Sequence, residues 1–138
     1  MTPLTLAQVE AVLDEHAPRW RAQQCILALG GGTITVAMPF SADLMRAGGT
    51  IAGPPLMALA DRAAYYLTIA HTGAHQAVTA NLAIHFLARP EPVDVIATGA
   101  LIRLGKRTAV STVDMHAADT LVAHATVTYV LPSPIGTR

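Results

Sequence analysis

Gly48-Gly49-Thr50-Ile51-Ala52-Gly53-Pro54-Pro55-Leu56-Met57-Ala58-Leu59-Ala60-Asp61 reads as a glycine-rich loop feeding a long helix. Pro54 and Pro55 suit a first helical turn, where a missing N–H costs nothing. From residue 56 to residue 70 only Asp61, Arg62, Tyr65, Tyr66 and Thr68 interrupt the apolar run. A helix apolar on every side is predicted to be buried. A carboxylate inside such a helix is expensive unless something pairs it or uses it. Asp61 is therefore the first candidate for chemistry. Two plainer readings stand beside that one: a buried basic partner elsewhere in the chain, or a helix edge open to water. Arg62 is a poor partner, because neighbours one apart on a helix do not face each other.

The rest of the chain limits what that helix can belong to. Its 138 residues suit one domain with a real core, taken as residues 1–138. Hydrophobic residues make up 52% and charged residues 13%, too few charges for a small monomer, so an apolar surface is expected to meet another subunit. Nine basic residues balance nine acidic ones, which argues against a nucleic-acid partner or an anionic membrane surface. Cys25 stands alone, so neither a disulfide nor a cysteine metal site is expected. Residues 1–10 lack the basic start of a signal peptide, and no uninterrupted run reaches membrane-spanning length. A cytoplasmic oligomer is the expectation.

Hydrophobic spacing gives the element order. Leu6, Val9 and Leu13 mark a helix over residues 5–16 that Pro18 ends. Gly30, Gly31 and Gly32 read as a turn before a first strand over 33–38, and residues 41–53 as a loop or short helical turn. The central helix runs to about residue 70. After Gly73 the period becomes two: Val78, Ala80, Leu82, Ile84 and Phe86 alternate with Thr79, Asn81, Ala83 and His85. Strands over 95–104, 108–116 and 120–131 follow, with Pro132 and Pro134 ending the last. The fold class is α+β: an antiparallel sheet of about five strands wrapped round one long helix, since nothing else in the chain can bury that helix.

In order and spacing, a set of short motifs over about 48–129 resembles the hotdog-fold acyl-CoA thioesterases, in particular their phenylacetic-acid-degradation (PaaI-like) branch. The carriers are Gly49-Thr50-Ile51-Ala52-Gly53, Leu59-Ala60-Asp61, Val78-Thr79-Ala80-Asn81-Leu82, Phe86-Leu87-Ala88-Arg89-Pro90, Leu104-Gly105-Lys106-Arg107, Val122-Ala123-His124-Ala125 and Thr128-Tyr129. The resemblance implies hydrolysis of an aromatic or medium-chain acyl-CoA with no metal or redox cofactor, coenzyme A being part of substrate and product. It implies Asp61 as nucleophile or general base, the backbone N–H of Gly53 as oxyanion donor and Thr79 as a hydroxyl that orients the attacking group. The chain departs from the family in two places. Ala52-Gly53-Pro54 stands where the family often has His-Gly-Gly, and Arg46 replaces a common Asn.

Helix geometry adds a point of its own. Pro54 and Pro55 have no N–H to offer, so Gly53 and Leu56 are the donors left at that helix start. Gly53 and Asp61 are eight residues apart, about 12 Å along a helix. A reacting carbonyl must lie about 3 Å from both attacker and donor. Two antiparallel helices across a two-fold solve this, so a homodimer or dimer-of-dimers with shared sites is expected.

Around that centre, Arg46 and Leu56 join the substrate-binding candidates, and Arg89, Arg103, Lys106 and Arg107 are candidates for the phosphates of coenzyme A. Tyr65 and Tyr66 belong to the core, the subunit contact or the acyl tunnel. The six histidines show no ligand spacing, and there is neither a serine elbow nor a phosphate loop. Two other readings stay open: a non-catalytic acyl-CoA-binding module, and a hotdog hydratase or dehydratase, which would need a histidine that the loop–helix segment lacks.

Overall fold

A computed structural model of the chain describes residues 2–133; Pro134 lies outside the described residues. An N-terminal helix α1 (Leu6–His16) is closed at its start by a capping box between Thr5 and Gln8. It leads through a 3-10 turn (Trp20–Ala22) into strands β1 (Cys25–Gly30) and β2 (Thr33–Met38). A small ribbon of β3 (Met45–Arg46) and β4 (Thr50–Ile51) precedes the long helix α2 (Gly53–Thr72). Strands β5 (Val78–Phe86), β6 (Val95–Leu104), β7 (Thr108–Ala117) and β8 (Thr120–Val130) complete the chain. All pairings in the main sheet are antiparallel, in the order β1-β2-β6-β7-β8-β5.

The sheet has six strands, not about five. The strand missed from the sequence is β1. Its apolar residues do not alternate cleanly, because the register slips between Ile26 and Ala28. Gly31 and Gly32, at φ 62° and 77°, supply the two left-handed residues of a tight hairpin between β1 and β2. The glycine-rich loop of residues 46–50 is likewise a hairpin rather than a plain loop, with Gly48 and Gly49 at positive φ. Thr50 Oγ1 ties it to the carbonyl of Pro90, at 2.9 Å.

The concave face of the sheet packs α2 through Ile34, Val36, Val95, Ala97, Val113, Met115, Ala125 and Val127, all buried. Gly99 leaves room for close packing of helix and sheet: a Cβ there would lie 3.1 Å from Ile34 Cγ2 and 3.2 Å from Leu67 Cδ1. Gly99→Ala is expected to destabilise the fold by about 1–2 kcal/mol, read as a lower urea midpoint, because the packing clash outweighs the entropic gain of alanine. An unchanged midpoint would mean that α2 can shift freely on the sheet.

The sheet does not enclose α2 completely. Pro54, Met57 and Ala58 are exposed or nearly so, and Asp61, Arg62 and Tyr65 are half-buried. These positions recur at helical spacing and form one uncovered stripe. The expectation of a helix buried on every side is corrected accordingly, and Asp61 sits at the edge of the stripe. Strand β5 forms a free margin of the sheet, with Val78 and Phe86 largely exposed.

Candidate active site

Asp61 projects from the third turn of α2 toward the β8–β5 side of the sheet. Thr79 Oγ1 donates to its Oδ1 at 2.7 Å, and the Tyr129 hydroxyl donates to the same oxygen at 2.9 Å. The second carboxylate oxygen, Oδ2, accepts no hydrogen bond from a described side chain. Thr79 and Tyr129 are cross-strand partners on β5 and β8 and so share the inner face.

Strict alternation would have turned Thr79 the other way. Asn81 pairs with Thr128 on the outer face, and two residues earlier Thr79 would follow it outward. A β-bulge at Ala80 adds one residue to β5 and reverses the parity, which aims Thr79 at Asp61. The period-two reading of 78–86 is corrected at this point.

Burial lifts the Tyr129 phenol well above its usual pKa, and the Asp61 charge adds to the rise. Tyr129 therefore stays a neutral donor at physiological pH. Its ring stacks on Tyr65, with centroids 5.6 Å apart, and the Tyr65 hydroxyl, also raised by burial, donates to the carbonyl of His75 at 2.6 Å.

These groups open onto a cavity of about 710 Å³ walled by Trp20, Tyr65, Tyr66 and Tyr129 and holding Asp61, Arg62 and Thr79. A second cavity, of about 620 Å³, lies at the start of α2. Gly53 and Leu56 line it together with Arg46, Phe86 and Arg89. As the first residue of α2, Gly53 has an N–H with no acceptor within the helix. The ring of Phe86 covers it, 3.4 Å from where a Cβ would stand. Arg89 is held by the Gly48 carbonyl.

Within one chain the structure thus brings Asp61 and Thr79 together, and separately Gly53, Leu56, Arg46 and Arg89. Arg103, Lys106 and Arg107 line neither cavity; all three are exposed on the β6–β7 hairpin. The basic residues do not form one group. Val130 pairs with both Val78 and Thr108, so the hairpin turn lies at the start of β5, whereas Arg89 follows its end.

Two residues of the larger cavity escaped the sequence reading. Tyr129 stood among the quoted motifs without a role. Its signal was a polar tip on the buried face of an otherwise apolar alternating strand. Trp20 carried no signal beyond being the only tryptophan.

Residues 48–124 match the thioesterase superfamily, more than half of the chain. The chain belongs to that family and is a thioester hydrolase with the hotdog fold. A proposed thioesterase of Silicibacter sp. TM1040 is 33% identical over 94% of this chain and 93% of its own, with a TM-score of 0.86. A mutant form of the phenylacetic acid degradation protein PaaI from Thermus thermophilus is 27% identical over 83% of this chain and 99% of its own, with a TM-score of 0.74. The PaaI protein of E. coli shares the fold, with a TM-score of 0.81 at 22% identity over 92% of this chain and 93% of its own. The Thermus neighbour matches the PaaI-like branch that the sequence motifs resemble. No curated protein sequence matches it. No described helix is long and apolar enough to cross a membrane.

Proposed function

We propose that the protein hydrolyses acyl-CoA thioesters with Asp61 as the reactive carboxylate, on an acyl group of aromatic or medium-chain size. The observation that carries this reading is the double donation from Thr79 and Tyr129 to Oδ1, which leaves Oδ2 as the oxygen directed at substrate. Three tyrosines and a tryptophan around it favour an aromatic or medium-sized apolar group.

In the general-base route Oδ2 takes a proton from water as the water oxygen attacks the thioester carbon. In the nucleophilic route Oδ2 attacks the thioester carbon, loss of the coenzyme A thiolate leaves an acyl-aspartyl anhydride, and water then hydrolyses that anhydride. Either way the carbonyl oxygen gains charge, which a Gly53 N–H stabilises. Collapse of each thioester-derived intermediate breaks the C–S bond, the thiolate takes up a proton that came from the attacking water, and the products are a free carboxylate and the coenzyme A thiol. Water is the only co-reactant, and neither route calls on a metal or redox cofactor.

Gly53 and Asp61 lie about 12 Å apart along α2 and face different cavities. This favours a homodimer in which the Gly53 end of one chain meets the Asp61 end of the other. The free β5 margin and the uncovered α2 stripe are the surfaces suited to it. In that arrangement Arg46 and Arg89 of one subunit, with Arg103, Lys106 and Arg107 of the other, are the cations available to the coenzyme A phosphates.

Free-thiol release from a panel of acyl-CoAs tests the reading. Turnover of aryl or medium-chain members is expected. Binding without turnover would favour a non-catalytic acyl-CoA module. Tyr129→Phe should keep the stack on Tyr65 and lower kcat about tenfold with KM nearly unchanged, since it removes one donor from Oδ1. A rise in KM at constant kcat would show that Tyr129 only lines the cavity.

A further inference from the structure

Arg62 lies in the same cavity as Asp61 but reaches the other way. Its Nη1 donates to Gln23 Oε1 at 2.8 Å and to Gln24 Oε1 at 3.4 Å, in the segment just before β1. The Tyr66 hydroxyl donates to the same Gln24 oxygen at 2.6 Å. Burial pushes the Tyr66 phenol up to about 12, and the nearby guanidinium offsets only part of the rise. Strands β1 and β5 are opposite margins of the sheet. Asp61 leans toward the β8–β5 side and Arg62 toward β1, as adjacent helical residues must diverge.

All the partners of Arg62 are neutral. Among the described residues no carboxylate lies within salt-bridge distance of it, although the chain's exposed Arg21 has two such partners. A half-buried guanidinium fixed by neutral acceptors in an aromatic-walled cavity keeps its charge uncompensated. Nη1 is engaged, and Nη2 and Nε remain for a ligand; guanidinium geometry suits a carboxylate best.

We propose that Arg62, held by Gln23 and Gln24, is an anion subsite for the distal end of the acyl group, and that the preferred substrates are CoA thioesters whose acyl group carries a second, free carboxylate. This rests on the acyl-CoA reading above and sharpens it. The thioester lies at Asp61 and the free carboxylate at Arg62, with the body of the acyl group against the aromatic walls.

Two matched pairs test it: adipoyl-CoA against hexanoyl-CoA, and 4-carboxybenzoyl-CoA against its neutral isostere 4-carbamoylbenzoyl-CoA. The wild-type protein is expected to favour the carboxylate member by about 30-fold in kcat/KM, the scale of a charge-assisted hydrogen bond. Arg62→Gln should erase that preference while changing hexanoyl-CoA turnover less than about threefold. Arg62→Lys should keep part of it.

Equal wild-type rates on both members of each pair would overturn the proposal without any variant. An equal loss on all substrates in Arg62→Gln would also overturn it, because Arg62 would then serve the coenzyme A phosphates or merely brace α2. If no member is hydrolysed, the acyl-CoA hydrolysis reading fails and binding decides the subsite. Calorimetry on the Asp61→Asn protein should then give tighter binding of adipoyl-CoA than of hexanoyl-CoA, lost on adding Arg62→Gln. Equal affinities would overturn the subsite.

Discussion

Asp61→Asn is expected to lower kcat on the best acyl-CoA by about a hundredfold or more while the protein stays folded, the scale of a lost general base or nucleophile. The asparagine oxygen can still accept from Thr79 and Tyr129, so the side chain keeps its place. What disappears is the negative charge of the carboxylate, which the proposed function requires. No basic side chain pairs with Asp61 among the described residues, so the exchange strands no buried cation. Stability should change by no more than about 1 kcal/mol. Stopped assays of thiol release, with a thermal melt beside them, separate the outcomes. Near wild-type turnover would remove Asp61 from the chemistry. Loss of the fold would mean that the carboxylate serves structure first.

The second large effect comes from mixing two dead proteins. Gly53→Pro deletes the one backbone N–H proposed to hold the oxyanion. Proline is tolerated there conformationally, because Ala52 before it is already extended, at φ −70° and ψ 158°. Each homodimer, Gly53→Pro or Asp61→Asn, should be nearly inactive. A heterodimer has one site built from an intact Gly53 and an intact Asp61 on different chains. Co-folded heterodimers should regain about half of the wild-type activity per dimer, as counting sites requires. The separation of about 12 Å along α2 motivates this, as does the opening of the two residues onto different cavities. No recovery, in heterodimers verified by native mass spectrometry, would mean that both groups act within one chain.

How much of this could be read from the sequence depended on how regular the chain is. Strands β5 to β8 and helix α2 were legible because each is nine residues or longer, so its period stands out despite a local irregularity such as the bulge at Ala80. Strand β1 was not, since its bulge breaks the period within six residues. Asp61 was found through its cost in an apolar helix, yet the reason given was incomplete. The helix is open along one stripe, and the partners of the carboxylate are hydroxyls rather than a cation. Thr79 was named as a candidate through family likeness, whereas its own alternation pointed it to the wrong face. Arg62 was weighed only as a partner for Asp61, and its glutamine anchors lie 38 and 39 residues away, where no local pattern reaches.

The extra residue at Ala80 has a consequence for how such a site can be gained or lost. Drawing the bulge flat with the chain length kept would restore an unbroken β5–β8 ladder, so sheet stability would be spared or improved. Thr79 would then swing to the convex side, and Asp61 would keep a single donor. Deleting Ala80 instead would leave Thr79 beside Asn81 and still opposite Tyr129 on the inner face. A one-residue slip in register, and not a change in chain length, therefore separates the Asp61–Thr79–Tyr129 cluster from a plain sheet of the same topology. Ladder stability alone gives no reason to keep the irregularity. Its persistence in a lineage would report continued use of that cluster more directly than the identity of any side chain.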